Sequence, residues 1–238
     1  MTLTTNYIEY AKLTVQQFAE IEPAKRNALV NELANVEVKR VLDVGCGAGL
    51  QLLPFAEIKN SDCFGIDIGA EVGEICKTVF REQGVENKGF FLRCGGEELP
   101  FTDESFDVVI CRVALPYMDN RKAVAEIARV LRPGGKFLLK THAPKFYFWM
   151  LKNRLKTLNP KQLAYPVICL TGGTINILTG KHPNGNFWRG KEVYQSDGYL
   201  RKLLAKNGLK IVRELNDTSA ETPSFLIEKV KLSTDAHR

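Results

Sequence analysis

The stretch "VLDVGCGAGLQLL" (41–53) places Gly45, Gly47 and Gly49 at alternate positions directly behind an apolar run. Three bare Cα positions this close together allow a sharp turn and let the main chain come within van der Waals distance of a ligand. Asp43 stands inside the apolar run, and Asp67 follows Gly49 by 18 residues, at the end of the next apolar run, "CFGIDI". A carboxylate at that place can accept hydrogen bonds from both hydroxyls of a ribose, so the pattern points to an adenosine-containing cofactor. The spacing G-x-G-x-G departs from the dinucleotide fingerprint G-x-G-x-x-G, because its sixth position is Leu50. The six cysteines (Cys46, Cys63, Cys76, Cys94, Cys111, Cys169) are scattered singly, with no CxxC pair and no clustered histidines. They read as reduced, mostly buried thiols, and no metal site is expected.

The elements that must position these residues alternate along the chain. Residues 7–36 read as helix in two pieces separated near Pro23, with Ile8, Ala11 and Val15 on one stripe. "KRVLDVG" is a strand, followed after the glycines by a helix from Leu50 to Ile58 that takes Pro54 in its first turn. "CFGIDI" is a second strand, and "AEVGEICKTVFREQG" is a helix closed by Gly84. "GFFLRCG" and "SFDVVIC" are the third and fourth strands. "NRKAVAEIARVL" is an amphipathic helix ended by Pro133, Gly134 and Gly135, and "KFLLKTH" is the fifth strand. Such alternation implies a Rossmann-like, doubly wound α/β fold with a mostly parallel sheet. After the helix "SDGYLRKLLAKNG", the runs "LKIVREL" and "SFLIEKVKL" are separated by too few residues for a crossover, so they should pair antiparallel. The chain is thereby read as a single domain over 1–238. Within it, 1–37 are N-terminal helices, 38–142 the cofactor-binding core, 143–193 a lid insertion, and 194–232 the final helix and strand pair.

At these spacings and in this order, "VLDVGCGAG", "FGIDI", "GGEELPFTDESFDVVIC" and "VLRPGGKFLLK" resemble the class I S-adenosylmethionine-dependent methyltransferases. The resemblance covers residues 38–142 strongly and the last strand pair loosely. It implies that Gly45, Cys46, Gly47 and Gly49 present backbone to the methionine part of S-adenosyl-L-methionine, with Asp43 and Cys111 nearby. It further implies that Asp67 takes the ribose hydroxyls, that Ile68 covers the adenine, and that main chain around Gly96 and Glu97 meets the adenine edge. One departure stands out: where many relatives carry an aspartate for the adenine amino group, this chain has Gly95.

The candidate catalytic residues follow the fourth and fifth strands. Arg112 could hold a carboxylate or phosphate bidentately, Tyr117 could position or deprotonate a hydroxyl, and His142 is the histidine placed to act as a general base. Each also has a structural reading. Arg112 could pair with an acid at the core edge, Tyr117 could pack under the following helix, and His142 could be hydrogen-bonded in place.

Composition is that of a globular protein, with 45% hydrophobic and 25% charged residues. The opening "MTLTTNYIEYAKL" has neither the basic start nor the apolar core of a secretory signal, which suggests a cytoplasmic location. Charge is distributed unevenly. Between Glu126 and Glu192 there is no acid but there are twelve Lys or Arg, against a whole-chain net of +6, so the remainder carries −6. The segment suggests an anionic substrate or partner, or else a solvated basic face balanced by acids elsewhere.

The insertion holds both tryptophans, and the resemblance implies that it forms a lid that selects the substrate. Its "KFYFWMLKNRLKTL" (145–158) sets Phe148, Leu151, Leu155 and Leu158 on one stripe and Lys145, Lys152 and Lys156 on another side. That helix should pack its apolar stripe over the pocket, with peripheral membrane contact through 145–158 as the alternative. "QLAYPVICLTGGTINILTG" is uncharged but broken by Pro166 and Gly172-Gly173, so it reads as the second half of the lid with the glycines as a hinge. The leading functional expectation is methylation of a small, partly apolar, anionic metabolite. Nucleic-acid methylation and cofactor binding without catalysis are the alternatives.

Overall fold

Arg40–Val44 (β1) is apolar except for Asp43 and its first residue, and such a run suits a strand covered on both faces. In the computed structural model, which describes residues 13, 15, 16, 18, 20–157 and 159–231, β1 occupies the middle of a seven-stranded sheet. The other strands are β2 (Asp62–Asp67), β3 (Gly89–Arg93), β4 (Phe106–Arg112), β5 (Leu131–Lys140), β6 (Leu209–Glu214) and β7 (Ser224–Lys229). Their order is β3-β2-β1-β4-β5-β7-β6. The first five pair in parallel, and β7 runs antiparallel between β5 and β6, as the short connection requires.

Eight α-helices complete the described chain: α1 (Pro23–Arg26), α2 (Ala28–Asn31), α3 (Leu53–Lys59), α4 (Val72–Glu82), α5 (Asn120–Val130), α6 (Pro144–Arg154), α7 (Pro160–Thr179) and α8 (Asp197–Lys206). One core cluster joins Val109, Phe137 and Leu139 to Val124, Ile127, Leu200 and Leu204, while the other joins Val41, Val108 and Ile110 to Leu29, Leu33, Phe55 and Phe80. The sheet is thus covered on both faces. In register, Val44 lies beside Ile66 and Asp43 beside Ile110. The turns after β1, β2, β4 and β5 therefore share one edge of the sheet, which is where α/β sheets bind ligands.

Several expected boundaries shift. Ile8, Ala11 and the first part of the predicted N-terminal helices lie outside the described residues, and α1 and α2 are single turns. The helix expected from Leu50 begins at Leu53, after the glycine turn. Strand β5 starts at Leu131, so Pro133–Gly135 sit inside it. Gly134 takes a left-handed φ of 80°, and the pairing with β4 shifts register between Phe106 and Val108.

The expected hinge is not a break. Helix α7 runs unbroken through Pro166 and the glycine pair, and no helix among the described residues is long and apolar enough to cross a membrane. A Cβ on Gly172 would stand 2.7 Å from the Trp188 ring, and one on Gly173 would stand 2.2 Å from the Tyr194 ring. The pair exists to admit two aromatic rings from the returning chain. Gly173→Ala should therefore lose about 1–3 kcal/mol of stability through overpacking, despite the gain in helix propensity. Gly198→Ala, where no atom lies within 4 Å, should leave the melting temperature unchanged or raised. Thermal melts of both variants check this.

Candidate functional site

The glycine turn bends through three left-handed residues, Gly45 (φ 78°), Gly47 (φ 51°) and Gly49 (φ 74°). Four of its amides are used internally. Gly45 N and Cys46 N donate to Ile66 O at 2.8 and 3.0 Å, Gly49 N donates to Cys46 O, and Gly47 N donates to Asp67 Oδ2 at 3.1 Å. Asp67 Oδ1 accepts from Gly69 N at 2.9 Å, so its carboxylate is held at the end of β2 from both sides. Ile68, next in the chain, is 72% exposed. The Cys46 and Cys76 thiols both donate to Gly47 O, at 3.7 and 3.1 Å, and the neighbouring Cys76 together with burial pushes the Cys46 thiol well up from the usual range.

The other residues assigned to the cofactor fall on the same edge with one exception. A Cβ on buried Gly96 would meet Met118 Sδ at 2.7 Å and Val44 Cγ1 at 2.8 Å, so only glycine fits. Glu97 is half-buried, and its Oε1 accepts from Asp119 N at 3.0 Å, which anchors the start of α5. Cys111 is the exception: it is fully buried in the core, where burial pushes its thiol up to about 12. Asp43 is also buried, and burial raises its carboxyl to about 7, with the Arg112 guanidinium pulling down and Asp67 pushing further up.

Arg112 itself is engaged by an acid. It forms an ion pair with Asp217, and its Nη1 donates to Ser224 Oγ at 3.2 Å. Lys140 Nζ reaches the same carboxylate at 2.9 Å, and against the upward push of burial these cations hold Asp217 at about 2. The next residue, Val113, takes a left-handed φ of 55°, which a β-branched side chain disfavours. That turn sets Ala114 so close to Gly45 that a Cβ there would stand 2.3 Å from Ala114 Cβ.

Tyr117 and His142 converge on a residue that the motifs did not single out, Glu192. Only 4% of it is exposed, yet each carboxylate oxygen has two donors. Oε1 accepts from Tyr117 Oη at 2.8 Å and Tyr165 Oη at 2.9 Å, and Oε2 accepts from Tyr147 Oη at 2.7 Å and lies 2.5 Å from His142 Nδ1. Burial pushes the Glu192 carboxyl up, but these donors outweigh it and hold the group at about 2. Burial and the neighbouring carboxylate push the three phenols up, so Tyr117 is a donor near neutrality and not a base. The only sequence signal for Glu192 was its position as the acid that ends the long acid-free run.

This arrangement overturns the expected facing of α6. With Tyr147 drawn in to Glu192 and fully buried, Phe148 and Leu155 turn outward, 58% and 54% exposed. Leu158, the last of the expected stripe, lies outside the described residues. The basic run also divides. Arg129 pairs with Glu126 and Asp103, Arg132 with Asp107, Lys136 with Glu228 and Lys140 with Asp217, so its core half is balanced by acids from elsewhere. Lys145, Lys152, Lys156, Lys161, Lys181 and Arg189, in the insertion, form no ion pair among the described residues. No group of three or more metal-ligating side chains occurs among the described residues.

A β3-β2-β1-β4-β5-β7-β6 sheet with a glycine turn after β1 and an acid ending β2 defines a Rossmann-like α/β fold. Residues 42–139 match the family described as "Methyltransferase domain". Over 104 residues the chain is 45% identical to the uncharacterized methyltransferase YcgJ of Bacillus subtilis, covering 43% of this chain and 40% of that protein. It is 27% identical over 194 residues to the ubiquinone biosynthesis O-methyltransferase of Photobacterium profundum, covering 73% and 81%. The crystal structure of YcgJ shares the fold, with a TM-score of 0.57 at 23% identity over 87% of this chain and 99% of that one. Over residues 42–139 the chain is thus similar to the class I S-adenosylmethionine-dependent methyltransferases. It spans less than half the length of the curated relatives that it matches at 33–45% identity.

Glu192→Gln puts an amide NH₂ against two hydrogen-bond donors and should cost about 1–3 kcal/mol at neutral pH. A carboxyl depressed from its ordinary 4.5 to about 2 contributes stability above pH about 4.5 that is lost as pH falls toward about 2. The difference between wild-type and variant melting temperatures should therefore shrink across that window. Melts taken along a pH series check it.

Proposed function

We propose that this chain binds S-adenosylmethionine along the edge made by the glycine turn, Asp67–Ile68 and Gly96–Glu97, and transfers its methyl group to a hydroxyl of a small, partly apolar metabolite. The observation that carries this reading is the hydrogen bond from Gly47 N to Asp67, which fixes a carboxylate beside left-handed backbone at the end of β2. The residues present fit the group. A pyrophosphate needs free N–H donors, and here four amides of the turn are already spent. What the turn keeps is the bare Cα of Gly47 beside the Asp67 carboxylate, which permits close approach of a methionine end. In this reading exposed Ile68 would cover the adenine, and Asp67, held at the end of β2, would take the ribose hydroxyls.

When bound, the cofactor supplies a methyl group on a sulfonium, whose in-line transfer needs alignment and a free lone pair on the acceptor. The acceptor chemistry rests on His142. Because ionised Glu192 can only accept, His142 Nδ1 carries a proton, and in the neutral imidazole the lone pair then lies on Nε2. Nε2 makes no hydrogen bond among the described residues, so it can take a proton from a hydroxyl. Relatives bearing O-methyltransferase names support an oxygen acceptor. The cations that suggested an anionic substrate are paired or lie on the insertion surface, so the reading keeps the small, partly apolar acceptor and gives the anionic character no role.

Asp67→Ala should weaken cofactor binding by about 1–3 kcal/mol, and calorimetric titration showing unchanged affinity would contradict the ribose role. Asp43 gives a second test. A carboxyl raised to about 7 is partly protonated near neutrality, and a cation arriving beside it favours the ionised form. Binding should release protons, so affinity should rise by up to about tenfold from pH about 6 to about 8. The binding enthalpy should depend on the ionisation heat of the buffer in the wild type and not in Asp43→Asn.

A further inference from the structure

The outward face of α6 carries a stripe with no assigned purpose. Lys145, Phe148, Trp149 and Lys152 fall at i, i+3, i+4 and i+7, one face of α6, Leu155 and Lys156 follow in the 3₁₀ turn that continues it, and all six are exposed. Phe148, Trp149 and Leu155 are each more than half exposed, and the three lysines between them form no ion pair among the described residues. Across 143–191 there are eight cations and no acid. Two large rings and a leucine left in water are unfavourable unless something apolar receives them, and the lysines specify that its surface is anionic.

We propose that this face docks on an anionic lipid surface. Lysine stems can lie along the apolar layer while their ammonium groups stay among lipid phosphates, and aromatic rings settle at the boundary. A nucleic acid would match the lysines and could stack on two rings, but it offers nothing to Leu155. The face also connects with the crevice. His142 stacks on Phe146 with ring centroids 3.9 Å apart, and Phe146 stacks on Trp149 at 6.2 Å, a continuous aromatic row from the end of β5 to the outward stripe. Docking would place the crevice next to an apolar phase, from which a partly apolar acceptor could enter along those rings. The proposal concerns the stripe and rests on the methyltransferase reading only for this last consequence.

The test uses the full chain with vesicles of phosphatidylcholine alone and of phosphatidylcholine mixed with phosphatidylglycerol, in co-sedimentation at low and high salt. Binding is expected to the mixed vesicles only, weakened by salt, with a blue shift of tryptophan emission that is absent in Trp149→Phe. Reversing the lysines (Lys145→Glu, Lys152→Glu, Lys156→Glu) should lower binding at least about tenfold, and Phe148→Ser with Trp149→Ser should lower it comparably. All these positions are exposed, so circular dichroism and cofactor titration should match the wild type. Three results would overturn the proposal: no binding to mixed vesicles, binding indifferent to the serine substitutions, or an RNA homopolymer that binds more tightly and displaces the vesicles. Loss of cofactor binding in the wild type would instead defeat the methyltransferase reading and leave the vesicle result standing.

Discussion

A carboxylate withdrawn from water is costly unless its lone pairs are filled, and Glu192 fills all four. Its donors come from four separate places: the turn after β4, the second residue after β5, and helices α6 and α7. The insertion is therefore held to the core by more than apolar packing, since one buried charge requires the three phenols and the imidazole to meet. Several features follow. Tyr147 must face inward, which turns α6 and puts Phe148 and Trp149 on the outside. Tyr194 and Trp188, on either side of Glu192 in the chain, must seat against α7, which is why Gly172 and Gly173 cannot carry side chains.

The order of the sheet was legible because it depends on local and periodic signals: apolar runs of strand length, glycines at turns, and a last connection too short to cross. The edge that gathers Gly45, Gly47, Asp67, Ile68 and Gly96 was legible for the same reason, since each lies at a strand end. What could not be read was the facing of α6. Its stripe of Phe148, Leu151 and Leu155 is regular, yet the residue buried is Tyr147, drawn in by Glu192 forty-five positions away. Partnerships at that range leave no periodic trace. The hinge assigned to Gly172-Gly173 failed similarly, because a glycine required by a ring on another segment looks the same in one dimension as a glycine required by a bend.

The division of the basic run shows how a net charge misleads when read along the chain. Its core half meets acids from β4, the β3–β4 loop, β7 and the stretch after β6, so the excess there is only apparent. In its insertion half Lys145, Lys152, Lys156, Lys161, Lys181 and Arg189 form no ion pair among the described residues, so there the excess is real. Only the folded arrangement separates the two, and it transfers the suggestion of an anionic partner from the crevice to the outer surface.

The glycine turn answers three separate demands. Gly45 is bare because Ala114 presses against it, delivered there by the left-handed turn at Val113. Such a conformation costs a β-branched residue about 1–2 kcal/mol, and here it is held by the bond from Val113 N to Lys140 O at 2.8 Å. Gly49 is bare because Cys76 Sγ and Phe91 would lie 3.2 and 3.3 Å from its Cβ. Gly47 alone turns its amide to Asp67. The strained turn after β4 thus touches the cofactor edge through Ala114 on one side and leads, three residues on, to Tyr117 and Glu192 on the other. Cofactor edge and general-base candidate are linked through that short stretch of backbone, so a shift in the insertion that moved Tyr117 would be felt at Gly45.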